Sequence, residues 1–238
     1  MGKKELRWDL TEFGYLGPTD SAIDRDLAGA LVLAQEFGAK FRGRINSPGL
    51  DAATLVAALK CYEEIAQLLW KLGAYASLLY SLDTQNAVAS ALLAKVEESG
   101  VSIRNHCLFF GLEWKALPQG QAEGLIGDPE LAPWRHYLEV SRLFAPYVLD
   151  EEREQLINEF DPVMEAWRKH FEKIIGRIKV LGVPLDKALS EAAHNPDRRV
   201  RRRYYNAITN ALRREAPYII DVINATLLEP HKCEGAQI

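Results

Sequence analysis

DPELAPWRHYLEVSRLFAPYVLDEEREQ, residues 128–155, is the stretch from which the architecture can be read. Asp128 can accept hydrogen bonds from the first free N–H groups of a helix, and Pro129 sits at the first helical position, where a missing N–H costs nothing. Leu131, Trp134, Leu138 and Ser141 then recur every three or four residues and share one face. Pro146 ends that helix through its clash with the residue before it. Asp150 opens another, and Glu151, Glu152 and Glu154 place negative charge where the helix dipole favours it. The spacing predicts a tight helix–turn–helix corner.

Upstream, residues 1–19 are irregular, broken by Gly14, Gly17 and Pro18. Asp20 caps a helix with apolar positions Ile23, Leu27, Leu31, Ala34, Phe37 and Phe41, and GRINSPG (43–49) is a turn. Asp51 opens a second helix over 51–80, with Leu55, Leu59, Tyr62, Ala66, Leu69, Leu72, Ala76 and Leu79 on one stripe. At 1.5 Å per residue it is about 40 Å long. Thr84 caps a third over 84–117, with Val88, Leu92, Val96, Ser99, Ile103, Cys107, Phe110, Trp114 and Leu117, stopped by Pro118. Gly100 inside it costs about 1 kcal/mol against alanine and points to close packing or a bend. The short connection at 81–84 makes these two helices antiparallel. A short helical turn near 119–126 leads into the corner.

Downstream, Asp161–Pro162 repeats the cap-then-proline signature and starts a helix through Trp167, Phe171, Ile174 and Ile178. In GRIKVLGVPL (176–185) the period changes, giving a small β-hairpin or an extended excursion. Leu185 to His194 returns to helix. Asn195–Pro196 is a third such start, Pro217 interrupts, and Tyr218 to Leu228 form a last helix. The tail after Pro230 has no pattern. The expected fold is all-α, an elongated multi-helix bundle with long antiparallel helices and at most one small β-hairpin near 176–185. It forms one helical domain over 1–228, with an unmatched tail over 229–238.

Composition bounds the function. A chain of 238 residues with 48% hydrophobic and 26% charged residues can bury a sizeable core. No apolar run approaches the roughly 20 residues of a membrane span, and no apolar segment follows the lysines of MGKKELRWDL as a secretory signal requires. Cys61, Cys107 and Cys233 are odd in number and far apart, which fits free thiols in a reducing cytoplasm rather than a disulfide framework.

Catalytic, cofactor-binding and metal-binding residues are all absent from this reading. His106, His136, His170, His194 and His231 include no pair at four-residue spacing, so H-E-x-x-H does not occur. G-x-S-x-G, the P-loop and G-x-G-x-x-G are missing too. Glu63–Glu64, Glu97–Glu98 and Glu151–Glu152 are adjacent carboxylates about 100° apart on a helix, and they read as solvated faces. One feature is less bland: seven arginines and no acidic residue lie between Arg198 and Arg214. Such a helix can meet nucleic-acid phosphates or an anionic peptide terminus. Val200, Tyr204, Ala207, Ile208 and Ala211 form its buried stripe, and on a chain of net charge −4 the arginines read better as a solvated face. Neither nucleic acid nor membrane is an expected partner.

Several stretches in order resemble the N-terminal half of oligoendopeptidase F, a thimet-type zinc metallopeptidase. They are RWDL (7–10), the Asp20–Leu27 helix, FRGRI (41–45), LDAATLVAALKCYEEI (50–65) and LFFGLEW (108–114). ELAPWRHYLEVSRLFAPYVLDEERE (130–154), EAWRKHF (165–171) and NPDRRVRRRYYNAI (195–208) complete the set. The resemblance implies a helical half that forms one wall of a deep peptide channel, with the zinc ligands and general base in a later, catalytic half. Zinc is therefore implied for the full-length enzyme, and no cofactor for this chain. The resemblance is lost after Leu228, before the zinc helix, so a truncated or frame-shifted reading frame or an excised fragment is expected, ahead of an independent protein.

The leading expectation is a non-catalytic oligopeptidase part, inactive alone, whose partners are oligopeptides and the missing catalytic half. A stand-alone helical peptide- or protein-binding module is the alternative, and a basic-helix nucleic-acid binder the third. Tyr218, Ile219, Ile220, Val222, Ile223 and Leu227 surround the last helix, so self-association is expected unless it folds back onto the bundle.

Overall fold

The computed structural model describes residues 9–235, with side chains through Asn224. Of the stretches above, Arg7, Trp8 and the side chains of Leu227, Leu228, His231 and Cys233 lie outside the described residues. The described residues are all-α apart from one two-stranded hairpin, and the chain forms two compact units, Met1–Phe160 and Asp161–Ile238.

The first unit is built on three long helices, α1 (Ser21–Phe41), α2 (Ala52–Leu82) and α3 (Ala87–Ala116). Asp20 caps α1 through the N–H of Ala22, and Asp51 caps α2 through that of Thr54. The cap of α3 is Asn86, not Thr84. Its amide oxygen takes the N–H groups of both Val88 and Ala89, at 2.9 and 3.1 Å. Thr84 lies in the turn that Asp83 holds through the N–H of Gln85.

Phe37 of α1 ties the three helices together, with ring centroids 5.1 Å from Phe109, 5.8 Å from Phe110, 5.4 Å from Phe41 and 6.1 Å from Tyr62. A second cluster at the far end gathers Tyr15, Ile23, Leu27, Leu72, Tyr75, Tyr80, Leu92 and Val96. Gly100 is buried in α3 near Leu69 of α2, where an added Cβ would lie 4.0 Å from Leu69 Cδ2, an ordinary contact. The tighter neighbour is its own helix's Arg104, whose Nη1 sits 3.1 Å from that position. The glycine therefore leaves room for a guanidinium.

After α4 (Gln119–Ile126) comes the corner. Its first helix starts as a 3-10 helix, Pro129–Trp134, and becomes α-helical only over α5 (Arg135–Leu143). Pro129 and Pro133 are four apart, and Pro133 has no N–H to give the carbonyl of residue 129, so the first turn cannot close α-helically. Leu131 and Leu138 are completely buried. The helix stops ahead of Pro146, and α6 (Glu151–Arg177) begins with the N–H of Arg153 on Asp150, while Glu154 accepts from the N–H of Leu149.

The two later cap-then-proline readings need correction. Asp161–Pro162 starts no helix, because Pro162 lies inside α6. Proline's φ is helical and only one hydrogen bond is lost, a cost the flanking turns absorb. Likewise Pro217 does not divide the C-terminal segment, where α8 runs unbroken over Arg198–Gly235, including most of the tail expected to be patternless. At Asn195–Pro196 the start is two residues late. Asn195 holds the N–H of Asp197, and Asp197 in turn caps Arg199.

In the second unit, β1 (Lys179–Val180) pairs antiparallel with β2 (Val183–Pro184) across Leu181 and Gly182, both at positive φ. Two positive-φ residues are what a tight two-residue hairpin requires. α7 (Leu185–His194) and α8 close a small core of Ile178, Val180, Ala188, Ile208 and Ala211. Val222 is buried, whereas Tyr218, Ile220 and Ile223 are exposed. No described helix is long and apolar enough to cross a membrane.

One polar cluster locks the irregular N-terminal segment to the bundle. Tyr15 donates to Asp26 at 2.7 Å, and Lys71 donates to the same carboxylate oxygen at 2.9 Å. The Tyr15 hydrogen bond, then Lys71, hold the Asp26 carboxyl below its ordinary value, while burial and Asp26 push the Tyr15 hydroxyl up. A depressed carboxylate stabilises the fold above its unfolded pKa, and that stabilisation is lost as pH falls through the folded one. A raised phenol stabilises below its unfolded pKa and loses this at higher pH. We expect Asp26→Asn to cost about 1–2 kcal/mol at pH 7. In urea titrations the difference from wild type should shrink as pH drops below about 4.

Candidate functional site

A concavity lined largely by apolar and aromatic side chains lies wholly within the first unit, along the α2–α3 seam. It is a groove of about 570 Å³. Tyr62, Ile65, Ala66, Leu69 and Trp70 come from α2, and Arg104, Cys107, Leu108, Phe110, Gly111, Trp114 and Lys115 from α3. Tyr137 and Ser141 of α5 and Asn158 of α6 complete it. The sequence places these groups together by helical arithmetic: positions 104, 108, 111 and 115 of α3 share one face.

The α5 wall is held in place by Trp114 and Arg142. The Trp114 indole donates to the carbonyl of Leu138 at 3.1 Å. Arg142 returns the contact, donating from Nη1 to Trp114 O at 2.6 Å and from Nη2 to Leu117 O at 2.8 Å. It also lies over the Trp114 ring. A cation thus satisfies carbonyls that the end of α3 leaves free, where the helix dipole favours positive charge.

Inside the groove the aromatic rings are ordered. Tyr62 stacks on Phe110 at 5.3 Å and on Tyr137 at 6.5 Å. Burial raises the pKa of both tyrosines. Their hydroxyls share a hydrogen bond that stabilises the neutral form of Tyr137 and the ionised form of Tyr62, as expected when Tyr137 donates. Burial also pushes the Cys107 thiol up to about 11, as expected of a thiol packed in the core. Trp70 stands 72% exposed at one end.

The groups singled out in the sequence do not converge here. His106, His136 and His194 are exposed. The His194 ring contacts Ser190 O, and His170 packs edge-on to Trp167. Glu151 pairs with Arg42 at 2.7 Å. In the basic helix, Arg201 donates to Asn195 O at 2.7 Å, while Arg198, Arg199, Arg202 and Arg203 are exposed. Among the described residues no group of three His, Cys, Asp or Glu side chains is placed to hold a metal ion, so they do not fit the zinc that the resemblance implies for the whole enzyme. The groove itself was not legible as a site. Its only sequence trace is the run of Arg104, Gly111 and Lys115 beside a buried stripe.

Fold and groove together define a helical bundle with an aromatic-walled, open cleft. The likeness to oligopeptidases read from the sequence is shown by the family model described as Oligopeptidase F, which matches residues 113–179. That segment contains Trp114, Tyr137, Arg142 and Asn158. No curated protein matches the chain significantly. Among solved structures, it is similar to a Chlamydophila abortus protein assigned as a peptidase, at 19% identity and a TM-score of 0.47. The likeness covers 92% of this chain and 38% of that one, so this chain spans well under half of that protein's length.

Arg142 is expected to carry the corner. Arg142→Met keeps most of the packing but leaves two carbonyls without their cation, at a cost of about 2–3 kcal/mol in urea denaturation. The far-ultraviolet spectrum should be unchanged.

Proposed function

We propose that this chain acts as the N-terminal, non-catalytic part of an oligoendopeptidase F-like zinc metallopeptidase, where its helices form one wall of the channel that takes short peptides. The observation that supports this most is the aromatic groove on α2 and α3, to which the family-matched segment contributes Trp114, Lys115, Tyr137, Ser141 and Asn158. Aromatic faces bury varied side chains without demanding one sequence, and hydroxyl and amide groups at the rim suit a peptide backbone. Peptide hydrolysis at neutral pH needs an activated water. The zinc and general base that supply it belong to the catalytic half of the family, so this chain contributes confinement and orientation. Its partners are then oligopeptides and that catalytic half, in the cytoplasm.

A second reading, a stand-alone peptide-binding module, is favoured by one observation: the groove is assembled entirely within the first unit. In either case the exposed Tyr218, Ile220 and Ile223 of α8 support self-association of the isolated chain, which sedimentation over a concentration series would reveal.

Titration of the purified chain with short peptides, followed through tryptophan fluorescence, should give saturable binding at micromolar to millimolar concentrations. With zinc added, the same peptides should remain intact. Metal-dependent turnover that chelation abolishes would overturn the non-catalytic assignment, and no saturable binding up to millimolar peptide would overturn the channel-wall assignment.

A further inference from the structure

The groove has a charge pattern that its peptide role alone does not explain. The chain is acidic overall, yet the described residues lining the groove include no carboxylate and two cations, Arg104 and Lys115. Neither makes an ion pair or side-chain hydrogen bond among the described residues, unlike Lys71, Lys95 and Arg142, whose charges are met by Asp26, Asp24 and helix-end carbonyls. The two are eleven positions apart on α3. At 100° and 1.5 Å per residue their backbone positions face the same way, about 16 Å apart along the helix. Between them the floor is Leu108 and Gly111, and nothing lies within 4 Å of where a Gly111 Cβ would be. The Arg104 guanidinium is stowed over Gly100, where Leu69 also packs. Lys115 stands at the opposite end, with Tyr137 and Ser141. An open apolar floor bounded by one unpaired cation at each end is complementary to a ligand that is apolar in the middle and anionic at both ends.

We propose, resting on the reading of the groove as a peptide wall, that it selects short extended peptides bearing two carboxylates about 16 Å apart with apolar residues between them. One carboxylate meets Arg104, which can accept it in the bidentate geometry a guanidinium offers, and the other meets Lys115. In an extended chain at about 3.3 Å per residue, that spacing separates an acidic first residue from the free C-terminus of a hexapeptide.

The test uses the full chain and N-acetylated Asp-Leu-Ala-Leu-Ala-Phe, compared with its Asn-first form, its C-terminal amide and the form carrying both changes, all read by tryptophan fluorescence. The diacid should bind about tenfold tighter than either monoacid and about a hundredfold tighter than the neutral peptide. Arg104→Gln should erase the gain from one carboxylate and Lys115→Gln the gain from the other, so the pair also reports the direction in which the peptide lies. Lys60→Gln, an exposed cation on α2 outside the groove lining, should change neither. All three replacements are at surface-accessible positions, and circular dichroism confirms that each variant is folded. Equal affinity for all four peptides would overturn the carboxylate selection while leaving peptide binding intact. An equal loss in Lys60→Gln would reduce it to long-range attraction and overturn it as well. No binding of any hexapeptide up to millimolar concentration would overturn both this proposal and the peptide-wall reading.

Discussion

The end of α3 is where the first unit is decided. A 30-residue helix finishes with carbonyls that have no partner in the helix, and here they face protein rather than open water. Arg142 reaches back from α5 to Trp114 O and Leu117 O, and the Trp114 indole reaches forward to Leu138 O. Each contact depends on the other, because the indole fixes α5 at the distance from which the guanidinium can span the helix end. Leu131 and Leu138, completely buried, supply the apolar half of the same joint. The α5 side of the groove, Tyr137 and Ser141, hangs on this weld.

The groove follows from a mismatch in apolar faces. Trp114 and Phe110 are buried, whereas Ala66 and Trp70 of α2 are exposed, and all four line the trough. Tyr137 comes down from α5 onto Tyr62 and closes one side. An aromatic trough that water can enter is costly to leave empty, which is the physical sense in which it suits a transient apolar ligand. Burial of Cys107 beside the trough pushes that thiol up to about 11.

The second unit works with a much smaller core. Its hairpin turns α6 back toward α7, and Ile178, Val180 and Ala188 then receive Ile208 and Ala211 of α8. Arg177 pairs with Glu215 at 2.8 Å and lies near the Tyr218 ring, drawing the charged flank of α8 onto the end of α6. Val222 is buried while its neighbours Ile220 and Ile223 are not, so the apolar residues of this part of α8 are only partly used within the described structure.

The sequence by itself determined the helical class, the antiparallel pair of long helices, the corner and the position of the hairpin. Each rests on interactions between residues a few positions apart: Asp20 and Asp51 on nearby N–H groups, the 3.6-residue recurrence of Leu92, Val96, Ile103 and Phe110, and the two-residue turn at Leu181–Gly182. Local rules failed where two of them competed. Proline after an acidic residue marks a helix start, and proline inside a helical pattern marks a break, yet Pro162 and Pro217 both sit inside longer helices, since a single lost hydrogen bond is outweighed by the continuous turns on both sides. The same limit hid the groove. Tyr62, Arg104, Trp114 and Tyr137 lie far apart along the chain and carry no motif, and only the packing of α5 against the end of α3 brings Tyr137 over Tyr62. Which residues face a ligand depends on how helices diverge, and that is a property of side-chain volumes meeting in three dimensions rather than of any spacing in one.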